Sequence, residues 1–350
     1  MPSMTDSRAT AALQGKVVVV TGASGGIGRA AAVAFGSHGA KVALLARGHE
    51  GLEGARREIE AHGGAALVLP TDVADAAQVE TAAEQVERTW GPIDIWVNDA
   101  MATIFAPVKE ITPAEFRRAT EVTYLGSVYG TMAALQRMLP RDRGTIVQVG
   151  SALAFRAIPL QAPYCGAKYA LRGFLDALRT ELRHDGSHIH ISMVQLSAFN
   201  TPQFDWGRTK MPRQPQPVPP IFQPEVAAQA IVWAATHRRR AVWVGWPAVK
   251  AILAAKLLPA GLLDRYLAQT GYASQQTKEP VPANRPDNLF TPVSGDHGAR
   301  GRFDARSRTQ SWQLPASEHR AWSVAAAALI LAAGAMLFRQ ASSNFSESKA

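Results

Sequence analysis

The apolar positions of the first 250 residues fall into short unbroken runs, separated by longer stretches with a helical period. The runs are KVVVVT (16–21), KVALLA (41–46), AALVLPTDV (65–73), IDIWVNDA (93–100), GTIVQVGS (144–151), IHISMVQLS (189–197) and AVWVGW (241–246). Short β-branched runs without alternation read as strands buried on both faces. Between them, 22–40, 51–64, 76–90, 116–139, 164–183 and 224–240 read as helices, several closed by Gly or Pro. Regular strand–helix alternation predicts an α/β fold: a doubly wound parallel sheet of about seven strands, with right-handed crossovers and helices on both faces.

Such sheets bind ligands along the carboxyl ends of their strands. The first strand ends in a glycine-rich turn, with Gly22, Gly26 and Gly28 leading into a helix. Strand, spaced glycines and helix together suit a pyrophosphate, because the backbone approaches closely and amides point outward at a helix N-terminus. The second strand is followed at once by Arg47, with no acid before Glu50. A cation there accommodates a ribose 2′-phosphate, so NADP(H) is favoured and NAD(H) stays open. Asp72 ends the third strand, near where adenine would lie, and Asn98-Asp99-Ala100 ends the fourth.

Ser151 closes the fifth strand; Tyr164 follows thirteen residues later and Lys168 four after that. On a helix, Tyr164 and Lys168 share a face one turn apart. The ammonium is expected to draw the phenol pKa down from about 10, which suits proton exchange with an alcohol or carbonyl oxygen held by Ser151. Tyr-x-x-x-Lys alone is common on helix surfaces, and the surrounding pattern gives it weight.

Composition adds little against this. A chain of 350 residues with 47% apolar content carries one large domain with extensions, or two domains. Cys165 is the single cysteine, so no intramolecular disulfide forms, and it reads as a packing residue. The net charge of +9 suits a phosphorylated cofactor or an acidic membrane surface. No recognition motif points to nucleic acid, and no metal site is expected.

Thr21-Gly22-Ala23-Ser24-Gly25-Gly26-Ile27-Gly28, Asp72, Asn98-Asp99-Ala100, Ser151 and Tyr164-Cys165-Gly166-Ala167-Lys168 resemble, in order and spacing, the short-chain dehydrogenase/reductase family over residues 14–240. The resemblance implies a Rossmann-type domain, a nicotinamide cofactor, a small-molecule carbonyl or alcohol substrate and a Ser-Tyr-Lys site. It makes Tyr164 the acid/base, Lys168 the ribose-binding residue that lowers the Tyr164 pKa, and Ser151 the holder of the substrate oxygen. Thr21, Gly22, Ser24, Gly26, Ile27 and Gly28 then line the cofactor loop. Asp72 and Val73 flank adenine, Asn98 supports the sheet beside Ala100, and Thr201 reaches the nicotinamide carboxamide side. Dimers or tetramers through the helices carrying Thr123 and Tyr164 are implied as well. Three departures stand out: Thr123 where the family has an active-site Asn, Leu196-Ser197 where it has Pro-Gly, and Met101 for a small residue.

The C-terminal third is less regular. Residues 200–225 are Pro-rich, and Phe199, Phe204, Trp206 and Phe222 offer an apolar wall or lid for a lipophilic substrate. Residues 247–269 suggest two apolar helical pieces broken at Pro259. Residues 271–320 lose apolar periodicity and read as a flexible linker, as do residues 1–13 at the other end. Ala321–Phe338 has no charged residue over eighteen positions, about 27 Å of helix, just enough to span a bilayer. Arg300, Arg302, Arg306, Arg308 and Arg320 precede it, while Arg339 and Lys349 follow. That bias places the catalytic domain (14–270) in the cytoplasm, tethered by a membrane helix ahead of a polar tail (339–350); a soluble cytoplasmic protein is the alternative. The sequence thus reads as an NADP(H)-dependent oxidoreductase on a lipophilic substrate. A scaffold or sensor with weak turnover on the same fold is the second reading, motivated by Thr123 and Leu196-Ser197.

Overall fold

Four valines and a threonine make β1 (Val17–Thr21), and all five are buried. Stiff β-branched side chains fit a pleated strand covered on both faces. In a computed structural model, which describes residues 10–318, β1 lies inside a seven-stranded sheet. The other strands are β2 (Lys41–Ala46), β3 (Ala65–Pro70), β4 (Ile95–Asn98), β5 (Thr145–Ser151), β6 (His190–Leu196) and β7 (Ala241–Val244). Their order is β3-β2-β1-β4-β5-β6-β7, and every pairing is parallel. The order reverses between β1 and β4, so the crevice opens at their carboxyl ends.

The helices are α1 (Gly26–Ser37), α2 (His49–Ala61), α3 (Ala76–Trp90), α4 (Pro113–Thr120), α5 (Gly126–Met138), α6 (Ala162–His184), α7 (Pro224–Thr236), α8 (Trp246–Leu257) and α9 (Ala260–Ser274). One layer packs α1 against α2 and α7; the other packs α3 on α5 and α4 on α6. The long helix expected over 116–139 is interrupted by a wider π-type turn, Glu121–Leu125. Within that turn the Thr123 hydroxyl accepts from Ala102 N–H and donates to Ala102 C=O, each at 2.9 Å. The helix is thereby tied to the loop after β4.

Two segments expected to be flexible are folded. Residues 10–13 are helical, with Leu13 fully buried and Thr10 Oγ1 2.9 Å from His38 Nδ1. Residues 275–311, inside the expected linker, lie against the domain. Gln276–Pro280 pairs antiparallel with Arg213–Pro215, and Leu289 and Phe303 are buried. The remaining anchors are polar: Arg208 bonds Asp287 at 2.8 Å and Arg300 bonds Glu225 at 2.8 Å. A segment held by two apolar side chains and scattered ion pairs has no apolar period, which is why its composition reads as a tether. Trp312–Glu318 belongs to a separate unit, with a helix over Gln313–Glu318. Ala321–Phe338, expected to span a membrane, lies outside the described residues; among the described residues no helix is long and apolar enough to cross one.

Candidate active site

The turn after β1 is built for close approach. Gly22 has φ +75, and a Cβ there would meet the Ala100 backbone at 2.9 Å. A Cβ on Gly28 would sit 2.3 Å from Gly22 O, so α1 and the turn pack without side chains between them. Thr21 Oγ1 accepts from the N–H groups of Asp99 and Ala100 at 3.1 and 3.2 Å, joining the ends of β1 and β4. Asn98 bridges sheet and helix: Trp96 Nε1 donates to its Oδ1 at 2.8 Å, and its Nδ2 donates to Thr131 Oγ1 at 3.0 Å. The N-cap of α1, Gly25, has no side chain to give. Asp99 places a carboxylate from the end of the neighbouring strand beside the Gly28 amide instead, and that amide favours its charged form.

A cavity of about 460 Å³ runs along the strand ends. At one end lie Arg47, Thr71, Asp72 and Val73; Gly22, Ser24, Gly26, Ile27, Ala100 and Thr201 form its middle; Ser151, Tyr164 and Lys168 stand at the other end. A glycine turn that excludes Cβ atoms, a row of first-turn amides and an arginine at the far end fit a phosphorylated dinucleotide. The sequence-expected site residues therefore converge, with four exceptions, of which Thr21 and Gly28 pack within the glycine turn without lining the cavity. Thr123 is fully buried behind the cavity and its hydroxyl is spent on Ala102. Asn98 supports the cavity floor rather than lining it.

At the reactive end, α6 carries Tyr164 and Lys168 on one face. Lys168 Nζ donates to Val149 O at 2.7 Å and lies 5.4 Å from the Tyr164 ring centroid. Ser151 stands beside Tyr164, close enough to favour its phenolate, and Ser151 Oγ accepts from Leu153 N–H at 3.1 Å. Burial pushes the Tyr164 phenol above its ordinary range, and the neighbouring Ser151 hydroxyl only partly offsets this. The sequence led us to expect a lowered value. The difference arises because desolvation of the phenol itself is the largest influence on it, with the Asp99 carboxylate adding in the same direction; the Lys168 ammonium is in turn lowered to about 8 by desolvation, while Asp99 pulls the other way. Burial likewise raises the Asp99 carboxyl to about 7, opposed by Lys168. Cys165 is buried with its thiol raised to about 11 by desolvation, as befits a packing residue.

Sequence reasoning missed two groups. Asp99 was visible only as part of the Asn98-Asp99-Ala100 run; its position between the Gly28 amide and Lys168 needed coordinates. Arg118, on α4, pairs with Asp72 at 2.6 Å and so reaches the adenine end. Of the expected apolar wall, Phe199, Phe204 and Trp206 line the cavity. Phe222 packs behind it, 6.0 Å from the Phe199 ring. Among the described residues no cluster suited to a metal ion occurs.

The short chain dehydrogenase family matches residues 16–210. The uncharacterized oxidoreductase YxnA of Bacillus subtilis is 30% identical over 322 residues, 91% of this chain and 90% of that protein. A 3-dehydrosphinganine reductase of Danio rerio is 32% identical over 228 residues, 63% of this chain and 68% of its own length. A metagenomic short-chain oxidoreductase, solved in complex with NADP, superposes with a TM-score of 0.57 at 28% identity, covering 67% of this chain and 97% of its own. A seven-stranded parallel sheet, a glycine turn under a dinucleotide-sized cleft and a Ser-Tyr-Lys end agree with that match, and the chain belongs to the short-chain dehydrogenase/reductase family of NAD(P)-dependent oxidoreductases.

Proposed function

We propose that the protein interconverts a carbonyl and an alcohol on a lipophilic small molecule, using NADP(H), with Tyr164 as the proton donor and acceptor. The observation that carries this reading is the shape of the cavity. Ser151, Tyr164 and Lys168 meet at one end, Arg47 stands at the other, and Leu153, Ile158, Phe204 and Val218 wall the reactive end with apolar surface. Bound NADPH supplies a hydride to the carbonyl carbon. Ser151 then holds the carbonyl oxygen, and Tyr164 gives it the proton that makes the alcohol. Raised by burial, the phenol is protonated at neutral pH, as reduction requires. Lys168, charged below about pH 8, stabilises the phenolate that forms. The Danio rerio relative, a 3-dehydrosphinganine reductase, supports a lipophilic carbonyl substrate.

Arg47 supports the cofactor preference. It follows β2 directly, and the nearby Glu50 carboxylate is engaged by Gly295 N–H rather than left for a ribose hydroxyl. Charge-assisted bonds to a 2′-phosphate are worth roughly tenfold to a hundredfold in affinity. The test is a steady-state comparison of NADPH with NADH on methyl ketones of increasing chain length. NADPH is expected to win, kcat/KM to rise with chain length, and Arg47→Ala to remove most of the preference. Equal use of both cofactors by the wild type sinks the NADP(H) assignment; a preference for the shortest ketones sinks the lipophilic one.

A pH profile checks the Lys168 role. Reduction is expected to fall as Lys168 loses its proton above about pH 8. The Asp99 charge raises the Lys168 pKa, so Asp99→Asn is expected to move this basic limb to lower pH by about one unit. A limb that does not move makes Asp99 a bystander.

The scaffold reading rests on Thr123 and Leu196-Ser197. Thr123 serves the π-type turn, and Ser151, Tyr164 and Lys168 remain together, which favours turnover. For assembly we propose pairing through α5 and α6, supported by the exposure of Met132 and Tyr169 on them.

A further inference from the structure

The family match ends at residue 210, yet the cavity has a wall from far beyond it. Asn288, Pro292, Val293, Gly295 and His297 line it together with the glycine turn and Arg47. This segment runs from the adenosine end to the glycine turn and the start of the loop after β6. At the adenosine end, Arg47 Nη1 donates to Phe290 O at 2.8 Å and Leu289 O at 3.5 Å, and Nη2 donates to Asn288 O. Arg118 Nε donates to the same Leu289 O at 3.2 Å. In the middle, Gly26 N–H, in the first turn of α1, donates to Gly298 O at 3.2 Å. Beside the same turn His297 stacks edge-on against Trp206, with centroids 4.8 Å apart, and Gly301 N–H donates to Asn200 O at 3.2 Å.

Its attachment is uneven. Leu289 and Phe303 bury the two ends, and Phe303 N–H donates to Asn200 Oδ1 at 2.9 Å. Between them, residues 290–298 are mostly exposed, and the segment contains Gly295 and Gly298 at φ +94 and +68. Polar contacts hold this middle part: Asp296 to the buried Arg29, Gly295 N–H to Glu50, and Gly298 O to Gly26. Few buried apolar contacts and permissive glycines mark a stretch that opens locally at low cost.

We propose that residues 288–301 are the outer wall of the dinucleotide site, a strap that lifts to admit the cofactor and closes along it. Two kinds of donor it holds, the Arg47 guanidinium and an α1 first-turn amide, are those a phosphorylated dinucleotide recruits. The strap carbonyls therefore stand in for phosphate oxygens, and cofactor and strap compete for the same donors. Cofactor exchange then proceeds at the rate at which the strap opens. The proposal rests on the assignment of the cavity to NAD(P)(H), and goes beyond it by giving the C-terminal segment a part in that site.

The structure offers a direct lock. A Cβ added at Gly48 would lie 3.6 Å from Pro292 Cβ, within the range disulfides span, and Gly48 has φ −82, open to any residue. The double variant Gly48→Cys/Pro292→Cys, in the full chain, is to be compared oxidised and reduced by stopped-flow fluorescence with NADPH and NADH. Oxidation is expected to slow both binding and release at least about tenfold, with dithiothreitol restoring them; the reduced protein controls for the substitutions themselves. Asp296→Ala, which frees the middle of the strap while Glu58 still pairs with Arg29 at 2.8 Å, is expected to speed release. Exchange at the same rate in the oxidised and reduced forms overturns the strap and leaves the cofactor assignment standing. Failure of the reduced form and the wild type to bind either dinucleotide overturns both.

Discussion

Tyr164→Phe is expected to lower turnover by about a thousandfold while changing NADPH affinity by no more than about twofold. The phenol is the group at the reactive end that is both protonated at neutral pH and beside Ser151, the residue positioned to hold a substrate oxygen. Phenylalanine keeps the ring in its place on α6 and removes the proton. An interaction made only in the transition state is thereby lost, so kcat and kcat/KM should fall together, with KM little changed. A thousandfold corresponds to about 4 kcal/mol of barrier, within the reach of one general acid. The measurement is single-turnover oxidation of NADPH under saturating ketone, paired with a fluorescence titration of cofactor binding. Turnover retained within tenfold would move the proton donor elsewhere, with Lys168 the next group to test.

The second large effect is expected from Gly28→Ala. In a helix interior this exchange is ordinarily worth up to about 1 kcal/mol of stabilisation. Here the new Cβ would lie 2.3 Å from Gly22 O and 2.8 Å from Asp99 Oδ2. The first neighbour is backbone, in a turn already at φ +75, so the strain cannot be relieved by a rotamer change. Overpacking of this kind costs about 1–3 kcal/mol and outweighs the helix gain. The expected result is a melting temperature lower by about 3–8 °C, and a loss of cofactor affinity of more than about tenfold, because α1 must move away from the turn it caps. Calorimetry and NADPH titration check the two parts. A variant as stable as the wild type with full affinity would show that α1 can shift without disturbing the site.

The strap and the Tyr164 reading are separable in these experiments. Tyr164→Phe acts on chemistry and spares binding; the Gly48–Pro292 lock acts on exchange and spares the reacting groups. A locked protein with cofactor trapped inside should still carry out one hydride transfer, which a simple loss of structure would not allow.

The sequence determined those features that are local in the chain. Buried strands need runs such as Val17–Thr21, and a backbone that touches backbone needs glycine at 22 and 28, so both were legible from residue types alone. The one-turn spacing of Tyr164 and Lys168 placed them on a common helix face before any coordinates, and the order of strands placed Arg47, Asp72 and Ser151 along one sheet edge. Electrostatics was not legible in the same way. The Tyr164 pKa depends on how much water surrounds the phenol and the ammonium beside it, and burial is a property of the whole fold. Nor was the role of Asp99 readable, since its partners lie on α1 and α6. The segment 275–311 was decided by tertiary structure alone. It is held by Leu289, Phe303 and ion pairs to residues such as Arg29, 267 positions away in the chain. Contacts spaced so irregularly leave no period for a sequence to display, and only the folded surface they fit shows that part of this stretch lines the cavity.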